Sequence, residues 1–204
     1  MSADASPPGP ALGYRPSLAA IADRIAEQVM PGRCCIVAIS GVGGSGKTTL
    51  ATALGRLVDF GVIGADEFAT AAVLERSSDW RGIDRDRLAR EVIGPARRGA
   101  STLTYASCRD WEHFSSEPAT CSVGAGLIIE GVGLFHPSLA DAFDLALWLD
   151  VDLELATARG IARDGTATGS AAEAQWRAVW RANEIDFLTR FDPIGRADLV
   201  ISPA

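Results

Sequence analysis

The hydrophobic period of this chain changes repeatedly between that of a helix and that of a strand. Behind Ser17, placed to act as an N-cap, Leu18, Ile21, Ala22, Ile25 and Val29 recur at helical spacing until Pro31-Gly32 stops the pattern. CCIVAIS (34–40) is an unbroken apolar run bounded by glycine, which predicts a strand buried on both faces, and TTLATALGRL (48–57) predicts a helix. Further strands are predicted in VDFGVIGADEF (58–68), GLIIEGVGLF (126–135), DLALWLDVD (144–152) and ADLVIS (197–202). Helices are predicted over 84–99, 152–165 and 174–191. Strands separated by helices imply an α/β fold, with a doubly wound parallel sheet of about five strands and helices on both faces. SSEPATCSVGAG (115–126) is expected as a loop, and the small, polar DGTATGSAAE (164–173) as a mobile lid. Residues 1–16 are rich in Pro, Ala and Gly without periodicity and are expected to be a disordered tail, leaving 17–204 as one domain with a lid over roughly 159–175.

Composition narrows the function. With 204 residues, 48% of them hydrophobic, one sizeable core is expected. A formal net charge of −7 argues against a nucleic-acid partner, because phosphate backbones are bound chiefly by clustered Lys and Arg. Lys47 is the only lysine, and it falls inside a glycine-rich stretch. The four cysteines form no CxxC pair and only two histidines are present, which argues against a zinc site. Cys34 and Cys35 read as small buried hydrophobes. No signal-like start appears, and no apolar run approaches the roughly 20 residues that span a bilayer, so a reduced, cytoplasmic protein without a membrane partner is expected. The sequence leaves the oligomeric state open, a homo-oligomer included.

The stretch ISGVGGSGKTTLA (39–51) carries the clearest chemistry. Gly41 to Thr48 fits G-x-x-x-x-G-K-[ST] without mismatch, between a predicted buried strand and a predicted helix. Glycines let successive backbone N–H groups turn toward an anion, the helix N-terminus adds a favourable dipole, and a lysine reaches the outer phosphates. ATP is therefore expected on Gly41, Gly43, Gly44, Ser45, Gly46, Lys47, Thr48 and Thr49, with the Thr48 hydroxyl as a Mg2+ ligand. Two carboxylates end apolar strands on the side where ligands of parallel sheets bind, Asp66 after VDFGVIGA and Glu130 after GLIIE. Each could accept a proton from an attacking hydroxyl or hold magnesium.

The loop GVGGSGKTT, the triplet Asp66-Glu67-Phe68, the pair Glu130-Gly131 and the segment ARGIARD ending at Asp164 together resemble the uridine kinase and phosphoribulokinase group of P-loop kinases, over roughly residues 34–202. The resemblance implies a three-layer P-loop NTPase fold with a small lid. It implies that Asp66 is the catalytic base, that Glu130 lies near magnesium, and that Arg159 and Arg163 are lid arginines closing over the phosphates. TYASCRDWEHF (104–114) resembles the segment with which that group forms part of its acceptor pocket, so Tyr105, Arg109, Asp110 and Trp111 are expected to contact substrate, although aromatics in such a segment are as often core. Ala69 replaces the tyrosine of the usual D-x-F-Y, and GTATGSAAEA replaces an arginine-rich lid. Phosphoryl transfer to a small hydroxyl-bearing metabolite, most simply a nucleoside such as uridine or cytidine, is thus the leading expectation. Pantothenate, a sugar phosphate or a nucleoside monophosphate are alternative acceptors, the last needing further cations for which Arg81, Arg85, Arg87, Arg97 and Arg98 are available. A nucleotide-binding regulator is the alternative of a different class. Glu184 and Asp186, in WRANEIDF, are expected on an exposed helix face.

Overall fold

The computed structural model describes residues 14–110, 113–168 and 170–202. Its first helix, α1 (Leu18–Ala26), is capped by Ser17, whose Oγ accepts from the Ala20 N–H at 3.1 Å. The apolar run that follows forms β1 (Cys35–Gly41), every residue of which is buried. The glycine-rich loop leads into α2 (Lys47–Val58), and a tight turn then enters β2 (Phe60–Gly64). A 3-10 turn, Ala65–Phe68, ends the segment predicted to be strand to residue 68.

The helix predicted over 84–99 is one run, α3 (Arg85–Leu88), a wider π turn (Ala89–Ile93) and α4 (Gly94–Arg97). β3 (Thr102–Asp110) and β4 (Ser115–Ser122) come next, followed by β5 (Gly126–Glu130) and β6 (Leu145–Leu149). The chain closes with α5 (Leu153–Thr168), α6 (Ser170–Gln175), a second π turn (Trp176–Trp180), α7 (Arg181–Phe191) and β7 (Leu199–Ile201).

Five strands form a parallel sheet in the order β2-β5-β1-β6-β7. Side chains of a strand alternate between faces, and β1 shows what this does to the core. Cys35, Val37 and Ile39 belong to a cluster with Ile21, Ile25 and Leu54 of α1 and α2. Ile36 and Ala38 belong to the opposite cluster, with Leu88, Val92 and Phe187. The sheet is therefore the middle of three layers, a P-loop NTPase architecture as expected. Register aligns Ile39 with Glu130 and Glu130 with Gly64, so the loop after β1, the end of β5 and the turn after β2 meet at one edge.

One expectation is corrected. Residues 115–122 are not a loop: β4 pairs antiparallel with β3, Tyr105 opposite Ala119, in a hairpin separate from the main sheet. Its residues are exposed except Ala119, with Cys121 half-buried, so the strand has almost no apolar face to advertise. The stretch at 164–173, expected as a mobile lid, is helical in its described part, the end of α5 and most of α6. Most of the predicted tail lies outside the described residues; of its last three, Tyr14 offers its carbonyl to the Ser202 N–H.

Candidate active site

The loop after β1 is shaped by close approach. Gly44 has φ +82°, and a Cβ there would lie 2.1 Å from the Ala156 carbonyl oxygen, so only glycine lets α5 rest on the loop. Lys47 is buried, and its Nζ donates to the Val42 carbonyl at 2.8 Å. Thr48 Oγ1 donates to Glu130 Oε1 at 2.9 Å, which joins the start of α2 to the end of β5. Ser45 Oγ is buried without a hydrogen-bond partner. An orphaned hydroxyl, the open amides at the start of a 12-residue helix and a buried lysine are together complementary to a polyphosphate. Magnesium fits the same corner: Thr48 Oγ1 and Glu130 are hard oxygen donors in contact, and Mg2+ normally completes its shell with water and substrate phosphates.

The loop opens into a cavity of about 730 Å³. Gly43, Gly44, Lys47 and Thr48 form its floor, with Asp66 and Glu130 beside them. Burial raises the Asp66 carboxyl above the ordinary range, neighbouring Glu67 adds to the rise, and Lys47 opposes it. Burial likewise raises Glu130, against the pull of Lys47 and the Thr48 hydrogen bond. Lys47 is lowered by its own desolvation, although Glu184 and Glu130 favour its charged form. Asp66 and Glu130 are thus proton acceptors of more than usual basicity.

Glu184 is the residue that sequence reasoning misplaced. It is 2% exposed, and its Oε1 accepts from the Gly43 N–H at 2.7 Å, one of the loop's own amides. Its companion Asp186 does turn outward, to Arg76 at 2.6 Å. Desolvation pushes Glu184 up to about 7 despite Lys47 and the Gly43 N–H. The sequence held a signal: Trp176, Trp180 and Glu184 recur every fourth residue, one helix face. All three line the cavity.

The folded state holds the Glu184 proton more tightly than an unfolded chain with the ordinary value of 4.5. Stability from this group is therefore complete below pH 4.5 and is lost as pH rises through about 7. Denaturant titrations at pH 5 and pH 8 should show the wild type losing roughly 2 kcal/mol more than Glu184→Gln over that interval. Equal losses would refute the assignment.

One wall is apolar. Trp176 and Trp180 meet edge to face with centroids 5.0 Å apart. Trp176 Nε1 donates to Asp164 Oδ2 at 2.9 Å, and Trp180 Nε1 to the Val73 carbonyl at 2.9 Å. Asn183 binds the same segment through the Glu75 carbonyl and the Ser77 N–H. Trp80 is held in place at φ +54°, a left-handed backbone that bulky residues rarely adopt.

Gly160 explains how Trp176 reaches the loop. A Cβ there would fall 2.3 Å from Trp176 Cζ2. Gly160→Ala is expected to cost about 1–3 kcal/mol in thermal or chemical unfolding. Trp176→Leu should absorb most of that cost in the double variant; strict additivity would place the strain elsewhere.

Of the expected site residues, the loop, Asp66, Glu130 and Arg163 come together at this cavity. Arg163 forms an ion pair with Asp164 at 2.6 Å, and its charge acts on Lys47 and Glu130. Arg159 does not join them: one turn earlier on α5, it is exposed and outside the lining. Thr49, in the first turn of α2, is also exposed and outside the lining. The expected acceptor patch is elsewhere too. Tyr105 is buried against Phe68, centroids 5.5 Å apart, and its hydroxyl donates to Glu67 Oε2. Arg109 is exposed, Asp110 pairs with His113 at 3.0 Å, and Trp111 lies outside the described residues.

No family model matches the chain, and no curated protein does. Solved structures do match. One described as a possible uridine kinase from Bacillus stearothermophilus aligns over 90% of this chain and 96% of its own, at 20% identity and TM-score 0.66. A candidate fructose transport system kinase from Silicibacter sp. TM1040 aligns over 93% and 99%, at 23% identity and TM-score 0.70. A D-glycerate 3-kinase from Cryptococcus neoformans var. grubii aligns over 87% of each chain, at 11% identity and TM-score 0.58. The chain has the fold of the P-loop kinases. Among the described residues, no helix is long and apolar enough to cross a membrane.

Proposed function

We propose that this protein is an ATP-dependent kinase that phosphorylates a hydroxyl of a small metabolite, with a nucleoside such as uridine or cytidine as acceptor. One observation carries the reading: the phosphate-shaped loop and the basic carboxylate Asp66 open into the same cavity, which leaves space for a second substrate beside the first. A regulator that only binds nucleotide has no use for that space.

Lys47 and the loop amides hold the outer phosphates, and Arg163, which lines the same cavity and whose charge acts on Lys47 and Glu130, offsets developing charge. Magnesium held by Thr48 and Glu130 would neutralise phosphate charge. Asp66 takes the proton of the acceptor hydroxyl as its oxygen bonds to the γ-phosphorus. The bond from that phosphorus to the bridging oxygen breaks, and ADP leaves with the electron pair. A nucleoside base would lie against Trp80 or Trp180 rather than Tyr105, since it is these rings that line the cavity.

The test is magnesium-dependent ADP release from ATP with a panel of nucleosides, nucleoside monophosphates, pantothenate and sugar phosphates. Stimulation by uridine or cytidine is expected. A slow rate that no acceptor changes would overturn the kinase reading.

A further inference from the structure

The charges around the cavity bear on which acceptors it can hold. Among the described lining residues, four carboxylates, Asp66, Glu130, Asp164 and Glu184, face two cations, Lys47 and Arg163. Both cations have work at the ATP phosphates. The rest of the wall is largely apolar, including Val73, Leu74, Ile83, Trp80, Trp176 and Trp180.

The five arginines expected to be available for a second anion lie elsewhere. Arg81 pairs with Glu75, and Arg85 donates to the Asp79 and Trp80 carbonyls. Arg87 donates to the Glu67 and Ala106 carbonyls, and Arg97 pairs with Asp144. Arg98 is exposed at the end of the α4 helix, and none of the five lines the cavity.

An acceptor phosphate or carboxylate entering here would leave water for an apolar wall beside carboxylates, with no third cation among the described lining residues to meet it. A cation meets the opposite. A Cβ built on Gly43 would lie 2.8 Å from Trp176 Cη2 and 3.5 Å from Glu184 Oε1, so a carboxylate and an indole share one corner. That pairing suits an ammonium group or a neutral hydrogen-bond donor.

Resting on the kinase reading above, we propose that the acceptor is a neutral or cationic alcohol with an apolar or aromatic body, and that the cavity rejects acceptors bearing a phosphate or carboxylate. A sugar phosphate, a nucleoside monophosphate and pantothenate are then excluded as acceptors, and an amino alcohol joins the nucleosides.

Two matched pairs isolate the charge: uridine against uridine 5′-monophosphate, and phenylalaninol against 3-phenyllactate. Calorimetric titration of the full chain with magnesium and a non-hydrolysable ATP analogue measures binding, and ADP release with ATP measures turnover. The uncharged or cationic member of each pair should bind at least about tenfold more tightly. Leu74→Arg places a guanidinium on the wall at a site already 42% exposed, and should narrow that ratio by about threefold or more. An anionic member that binds as tightly as its partner overturns the proposal, as does an unchanged ratio in Leu74→Arg or no binding by uridine and phenylalaninol alike. Selective binding without acceptor-dependent ADP release would leave the acceptor class standing and defeat the kinase reading instead.

Discussion

Lys47→Ala is expected to lower kcat/KM by roughly a thousandfold and to weaken ATP binding at the same time. Lys47 is the one lysine of the chain, buried, with its Nζ folded onto the Val42 carbonyl within the loop. A phosphate group offers it a better partner than a carbonyl, so removal costs the ground state and the transferring state alike. Losing the cation also leaves Glu130 and Glu184 less compensated, because each is held toward its charged form by Lys47. Circular dichroism should confirm folding before turnover is compared, with Lys47→Met preserving bulk. Wild-type activity in a folded variant would refute the phosphate cradle.

Asp66→Asn is expected to separate the two substrates. The amide keeps the shape of the carboxylate and cannot accept the hydroxyl proton, so acceptor-dependent turnover should fall by about a factor of 10²–10⁴. ATP affinity should stay within about threefold, because Asp66 is not part of the loop that holds the phosphates. The sign of the pH dependence follows from burial. A base works only when deprotonated, and its environment raises the Asp66 carboxyl, so wild-type kcat should fall with acid at a pH above the ordinary carboxylate range. The residual activity of Asp66→Asn should lack that limb. A variant that loses ATP binding instead would overturn the assignment of the base.

What could be foreseen divides along a physical line. β1, the loop and α2 were legible because their signals are local: an apolar run, a fixed motif and a helical repeat lie within about two dozen residues. Asp66 and Glu130 were legible for a related reason, since a carboxylate that ends a buried parallel strand must emerge at the ligand edge. β4 was not, because SSEPATCS carries a proline and pairs with β3 outside the main sheet, so it needs no buried face. Glu184 was not, because only packing against the loop distinguishes its helix face from that of Asp186, two residues away. Tyr105 shows the converse: an aromatic in a suggestive segment was claimed by the core through Phe68.

The tryptophans of the cavity wall give the molecule an optical property. Trp80, Trp176 and Trp180 line the cavity, and among the described residues only Trp148 lies apart from it, in the core against Phe135. Three of the chain's five tryptophans therefore line the site, and an occupant that packs against one of them should change the ultraviolet emission. The protein carries its own dye, and the filling of its site can be followed by the light it already gives off.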